Sequence, residues 1–238
     1  FDLNEYDLLL SSSHCVAKSV IPGRNSLHIC YCHTPMRYIW DQFDQYFGKE
    51  KSSWFAATAM KFIRGWLQRW DVRTSRRVNH YIANSRHVQK RIKKYYNQEA
   101  TIIHPPVDTG LFNPDGSEGN EDYFLIVSAF APYKRLDLAV DAFNQLNLPF
   151  FVIGEGQAGK RLKEMAKPNI HFEGWLDNSQ IRSHFARCQA FIFCGEEDFG
   201  ITLLEAQAMG RPVIALGRGG ALETVVPDSQ SWKPETGI

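Results

Sequence analysis

From residue 122 onward the chain alternates short, unbroken apolar runs with amphipathic stretches, and no other feature of its 238 residues constrains the fold as strongly. The runs at 123–128, 150–153, 170–172, 190–194 and 212–216 lack the polar alternation of a half-exposed strand, so they read as strands buried on both faces. Helical spacing fills the gaps at 135–146, 157–166, 179–187 and 200–209. Buried strands joined by helices require a parallel sheet covered on both sides, with ligands at the strands' carboxyl ends. The first hundred residues repeat this grammar less completely. Strands are predicted at 6–11, 28–32 and 81–83, and a helix at 86–96 with Ser85 as its cap. The fold class is α/β with two Rossmann-like domains, the first reading as the latter half of one.

Composition shifts at Pro105 and Pro106 and through the turn formers of 113–120, which places a linker at 105–121 between domains at 1–104 and 122–238. Charge shifts there too: residues 1–110 carry +7 and residues 111–238 carry −6, the two halves of a net +1. A basic first module is suited to a phosphate, an anionic surface or a lipid head group, although two unequally decorated surfaces give the same count. With 44% hydrophobic and 22% charged residues the chain can bury a core. No apolar run approaches the roughly 18 residues of a membrane span. The start lacks the pattern of a secretory signal and an initiator Met, so the chain reads as a fragment. Five cysteines, an odd number lying mostly in apolar runs, and the lack of any Asn-x-Ser/Thr site favour a reducing cytoplasm.

Residues 54–78 form their own pattern. Phe55, Ala59, Phe62, Trp66 and Trp70 recur at helical spacing, and Lys61, Arg64, Arg69, Arg73, Arg76 and Arg77 outnumber the single acid Asp71. A basic, Trp-containing amphipathic helix can lie in a membrane interface; the alternative is a domain helix packing its aromatic stripe on the sheet.

Two motifs carry chemistry. Gly154, Gly156 and Gly159 follow a predicted strand and open a helix, the spelling of a dinucleotide fingerprint, with Glu173 available as the acid that fingerprint needs. Such a motif ordinarily closes the first strand of its domain, and here a strand and helix precede it. The second motif is sharper. Glu197 follows the strand at 190–194, Gly200 opens a helix, and Glu205 lies in that helix's second turn. At such a helix start the amides of Phe199, Gly200 and Ile201 are expected to serve as donors to a ligand. Carboxylates accept hydrogen bonds from vicinal hydroxyls while the helix end favours a diphosphate, so the pair reads as recognition of hydroxyls plus phosphate. An acidic first turn favoured by the helix dipole accounts for Glu197 and Asp198 but not for Glu205.

The spacing of Glu197 and Glu205, with Phe199 and Gly200 between them and Gly210 to Ile214 (GRPVI) after them, resembles retaining glycosyltransferase family four, whose fold is GT-B. The likeness extends to Pro132–Asp137 (PYKRLD), Gly217–Thr224 (GRGGALET) and His28–Tyr38 (HICYCHTPMRY), and is nearest the mannosyltransferase-like branch of bacterial polysaccharide and O-antigen assembly. It implies two Rossmann-like domains facing across a cleft, the first incomplete here. Lys134 would neutralise the departing diphosphate with Arg135 assisting, Glu197 would hold donor-sugar hydroxyls, and Glu205 the ribose. His33 would face the donor sugar, and backbone near Gly174 and Trp175 would seat the base. Phe199, Gly200 and Ile201 would complete the nucleotide-sugar site, with His14 and Arg37 on the acceptor side.

Two departures stand out. Ser128 and Ala129 replace the family's Gly-Arg, so one phosphate cation is either missing or supplied by Lys134, Arg135 or another residue such as Arg218, and the family's first-domain Gly-rich loop is absent. The expected reaction moves a hexose, mannose first, from a nucleotide sugar, GDP-mannose first, to a lipid-linked or polysaccharide acceptor at the inner face of the cytoplasmic membrane. No metal and no nucleic-acid partner is expected. Cys30, Cys32 and His33 lack a second ligand pair at zinc spacing, and two cysteines on one face of a strand fit a core. The alternatives are an NAD-binding oxidoreductase using the Gly154 loop and a truncated, non-catalytic nucleotide-binding module.

Overall fold

The unbroken apolar runs fold into two separate parallel sheets. The computed structural model describes residues 3–43, 54–114, 116, 119 and 121–227. Two units divide the chain, Phe1–Pro105 and Pro106–Ile238.

The first unit holds β1 (Leu8–Ser13), β2 (Leu27–Cys32), α1 (Trp54–Ser75), β3 (His80–Ala83), α2 (Arg86–Tyr96) and β4 (Ala100–Ile102). Its four strands pair in chain order, β1-β2-β3-β4, all parallel. Cys30 and Cys32 of β2, Tyr81 and Ala83 of β3, and Val88, Ile92 and Tyr96 of α2 make the core. Ser85 caps α2 as its sequence requires, its Oγ accepting from Val88 N at 3.0 Å. Two expectations need correcting. The first strand runs two residues later than 6–11, because Tyr6 is exposed and pairing with β2 begins at Leu8. β4 was not anticipated: three half-buried or exposed edge residues carry almost no apolar signal.

The first unit also buries charge. Lys18 Nζ meets Asp71 Oδ1 at 2.5 Å with both side chains at 1% exposure or less. Asp71 Oδ2 accepts from Trp40 Nε1 and Tyr96 Oη, each at 2.9 Å, and Lys18 lies 5.1 Å from the Tyr96 ring centre. The one acid of α1 therefore faces inward and fixes that helix to α2. Trp66 and Ala59 of the expected aromatic stripe are exposed, so they do not pack on the sheet; the side chains of Phe55 and Phe62 lie outside the described residues.

The second unit holds β5 (Phe124–Val127), α3 (Leu136–Leu146), β6 (Phe150–Ile153), α4 (Gly159–Met165), β7 (Ile170–Gly174), α5 (Asn178–Arg187), β8 (Ala190–Phe193), α6 (Ile201–Ala208), β9 (Val213–Ala215) and α7 (Ala221–Thr224). Every strand and helix read from the sequence is present within two residues of its expected ends. The order is β7-β6-β5-β8-β9, all parallel. Successive strand residues fall into different cores: Leu125 and Phe191 pack with Phe185 and Leu203 of α5 and α6, whereas Ile126 and Ile192 pack with Val140 and Phe143 of α3. Both faces are thus covered, which is why the strands show no alternation. Residues before β5 join this unit: Phe112 is buried in the core, and Arg182 Nε donates to Leu111 O at 3.0 Å.

The strand order places the topological switch between β5 and β8. Connections from β5 lead to β6 and β7 on one side, while β8 leads to β9 on the other. A crevice at the carboxyl ends of these two strands is where such sheets take their ligands.

Candidate functional site

Lys134 and Glu197 meet at this switch point. The loop after β5 ends in a 3-10 turn, Pro132–Lys134, and Arg135 takes a left-handed conformation (φ 52°) to enter α3. Lys134 Nζ forms an ion pair with Glu197 Oε1 of the loop after β8, and both side chains are mostly buried. Gly195 makes the approach possible, since a Cβ there would lie 3.0 Å from Lys134 Cα. Glu197 is held from behind as well. Its carbonyl accepts from Gly220 N at 2.7 Å, and it forms a parallel bridge with Gly219, whose own Cβ would stand 2.3 Å from that carbonyl oxygen. The GRGG stretch is thereby explained as a brace for the Glu197 loop.

Two residues beyond Glu197, Phe199 is buried and Gly200 caps α6 with φ 87° and no side-chain acceptor. The helix therefore begins with backbone amides directed at whatever sits at the switch point. Glu205 follows one turn later, half-buried, and burial holds its carboxyl above the usual carboxylate range. Ile201 is exposed at the helix start. Arg135 is already paired, its guanidinium meeting both Asp137 oxygens at 3.1 to 3.3 Å. Cys194, at the end of β8, has its thiol pushed up to about 11 by burial and by Asp137.

Gly174 ends β7 with φ 72°, its carbonyl accepting from Gly154 N at 2.7 Å, and Trp175 beyond it is 74% exposed. The second unit thus brings Lys134, Glu197, Phe199, Gly200, Ile201, Glu205, Gly174 and Trp175 to the carboxyl edge of one sheet.

In the first unit, His33 follows β2 at the corresponding edge. Its Nε2 lies 2.8 Å from Ser12 Oγ, its carbonyl accepts from Asn84 Nδ2 at 3.1 Å, and its ring meets Tyr31 edge-on at 5.1 Å. Ser12 and Asn84 escaped the sequence reading, although the serine triplet ending β1 and Asn84 at the end of β3 are polar residues where buried strands stop. His14 lies exposed just past β1, and Arg37 is half-buried in the turn after Met36.

The dinucleotide reading of the Gly154 loop fails on packing. A Cβ on Gly154 (φ 123°) would stand 2.1 Å from Ser128 O, and one on Gly156 would stand 2.8 Å from Phe130 N. Phe130 donates to Glu155 O at 2.8 Å and accepts from Ala158 N at 3.0 Å, and Gly159 N bonds Gly156 O. The chain's own 128–131 segment occupies the ground a pyrophosphate would need, and the glycines admit that segment.

A cation, a carboxylate and an uncapped helix start come together at the switch point of a parallel sheet, in an α/β domain of the class that takes its ligands there. The comparisons narrow the class. Residues 109–236, more than half of the chain, match the family described as Glycosyl transferases group 1, and residues 2–111 match Glycosyltransferase Family 4. The chain belongs to the group 1 glycosyl transferases, of family-four type with the GT-B fold. It is 28% identical over 169 residues to O-antigen chain mannosyltransferase C of Escherichia coli, covering 63% of this chain and 43% of that protein. It is likewise 28% identical over 173 residues to a GDP-mannose-dependent phosphatidylinositol monomannoside mannosyltransferase of Corynebacterium glutamicum, covering 60% and 45%. HepE of Anabaena, solved with UDP and glucose, shares the fold at a TM-score of 0.62 and 19% identity, over 84% of this chain and 61% of that one. The chain spans less than half the length of the curated relatives it matches.

Proposed function

We propose that the protein is a retaining hexosyltransferase that moves mannose from GDP-mannose to a lipid-linked or polysaccharide acceptor at the inner face of the cytoplasmic membrane. The Lys134–Glu197 pair beside the Gly200 helix start carries the reading, because it sets a cation and a carboxylate together where a diphosphate joins a sugar. Lys134 takes the charge that grows on the leaving diphosphate, and the α6 amides share it. Glu197 accepts from hydroxyls of the donor sugar, and Glu205 from the ribose. The base lies near Gly174 and Trp175. Transfer runs by a front-face route in which the leaving phosphate helps deprotonate the acceptor hydroxyl, so the reading calls on no metal. Arg135 contributes to the phosphate only by leaving Asp137. His33, oriented by Ser12 and Asn84, faces the donor sugar, with His14 and Arg37 on the acceptor side. The mannosyl donor rests on the two relatives named for mannose transfer, while HepE was solved with UDP.

Calorimetric titration with GDP, UDP and NAD in parallel tests this. Binding of GDP alone supports the mannosyl donor. Binding of UDP alone keeps the transferase and changes the donor, and failure of both nucleotides overturns the site.

A further inference from the structure

Within the first unit, α1 and the turn at Trp40 border an open cavity of about 420 Å³, lined chiefly by Trp40, Gly65, Val72, Arg69, Arg73 and Arg76. Helical spacing sets Gly65, Arg69, Val72 and Arg76 on one face, with Asp71 on the other. Asp71 is fully buried and satisfied by Lys18, Trp40 and Tyr96, so the only acid of α1 offers these arginines nothing. The neighbouring arginines have structural tasks. Arg64 donates to the carbonyls of Ile39 and Trp40, and Arg77 to that of Ser19. Arg69, Arg73 and Arg76 are exposed and make no hydrogen bond or ion pair among the described residues. The wall opposite them is rigid: the Trp40 indole stacks on Tyr95 at 4.5 Å while its Nε1 is bonded to Asp71. Gly65 leaves the middle of the helix open, since a Cβ there would touch nothing within 4 Å.

We propose that this cavity binds a phosphate or diphosphate ester, its oxygens held by Arg69, Arg73 and Arg76 and its organic part against Trp40 and Val72. Guanidinium groups present paired donors that match phosphate oxygens, and three of them around an aromatic wall, with no carboxylate among the described lining residues, select an anion over a neutral ligand. Trp66, 62% exposed and seven residues before Arg73 on the same helical stripe, extends apolar surface beside the cations. The site goes beyond the transfer reading and does not rest on it, because every described lining residue belongs to the first unit and the donor groups of that reading belong to the second.

Inorganic pyrophosphate is the first probe, titrated calorimetrically into the wild type, Arg69→Gln/Arg73→Gln, Gly65→Leu, and an Arg24→Gln/Lys90→Gln control of equal charge change. Pyrophosphate bound at Lys134 in the second unit persists in all four proteins, so the differences isolate the cavity. The arginine variant is expected to lose the cavity's binding step or weaken it at least about tenfold. Gly65→Leu keeps every charge and suits a helix better than glycine, yet fills the cavity, so it should lose the same step. The control should titrate as wild type. Unchanged titrations in both cavity variants would overturn the site, as would an equal loss in the control. Co-sedimentation with phosphatidylglycerol/phosphatidylcholine vesicles against phosphatidylcholine alone then identifies the source of the phosphate. Sedimentation that needs Arg69 and Arg73 assigns a lipid head group, and pyrophosphate binding without sedimentation assigns a soluble phosphate ester.

Discussion

Lys134 and Glu197 join the loops after β5 and β8, the two strands between which the second sheet changes direction, and their ion pair closes the floor of the switch point. Neither charge is free to relax into solvent. Removing one leaves the other mostly buried and uncompensated, so the two substitutions are not independent. A double-mutant cycle of Lys134→Ala and Glu197→Ala, followed by denaturant unfolding, should return a coupling of about 1–2 kcal/mol. Additive losses would mean that the pair forms without stabilising either loop.

Turnover separates the roles of the same pair. In the proposed transfer, charge on the diphosphate is larger in the transition state than in the bound donor, so Lys134→Ala should lower kcat by about a hundredfold while the donor KM changes by less than about tenfold. Steady-state kinetics with the donor identified by titration reads both. Equal losses in kcat and in affinity would reassign Lys134 to ground-state binding.

Glu205 ties pH to both stability and binding. Burial raises its carboxyl pKa in the folded chain, so the folded state holds its proton more tightly than the unfolded state does. The charged form is therefore a penalty, absent below the unfolded pKa and felt fully as pH rises through the raised one. Glu205→Gln should accordingly raise Tm at neutral pH, and the gain should vanish in acid. Nucleotide affinity runs the opposite way. In the proposed function the carboxylate is the hydroxyl acceptor, so wild-type affinity should fall as pH drops through the raised pKa, and Glu205→Gln should bind weakly at every pH. A pH-independent affinity in the wild type would remove Glu205 from the ribose.

Much of the second unit was legible because buried parallel strands leave short, unbroken apolar runs between helical stretches: FLIV, FFVI and AFIF are apolar on every residue since α3 covers one face and α5 and α6 the other. The Glu197 and Glu205 spacing was legible for the related reason that a carboxylate in an apolar helix needs a purpose. β4 was not, because ATI at a sheet edge is neither alternating nor apolar enough to stand out. Nor was the Lys18–Asp71 pair, whose members lie 53 residues apart and each look like surface charge until the tertiary fold brings them together. The Gly154 motif was legible as a pattern and misleading as chemistry, since a glycine admits a neighbouring backbone as readily as it admits a ligand.

That last distinction can be measured. Gly154 combines φ 123° with a Cβ position 2.1 Å from a backbone oxygen, so Gly154→Ala must shift the 128–131 segment and should cost about 3 kcal/mol or more. Gly65 sits within a helix with open space around it, and Gly65→Ala should stabilise by about 0.5–1 kcal/mol. Urea unfolding of both variants decides the matter. Tolerance of alanine at Gly154 would mean the segment is loosely packed and would reopen that loop to a ligand.

The buried Lys18–Asp71 pair makes the sharpest stability prediction. Asp71 accepts from Lys18, Trp40 and Tyr96 at once, so Asp71→Asn removes the charge that balances Lys18 while nearly preserving shape. The stranded ammonium, fully buried, should cost about 3–5 kcal/mol. Lys18→Met with Asp71→Leu removes both charges together, and the packed apolar pair should recover part of that loss. Recovery is bounded by Trp40 Nε1 and Tyr96 Oη, which then lose their acceptor at a cost of about 1–3 kcal/mol each. Denaturant unfolding of the single and double variants gives the comparison. A double variant less stable than Asp71→Asn would show that this carboxylate matters chiefly as the acceptor for Trp40 and Tyr96, and that Lys18 is the passenger.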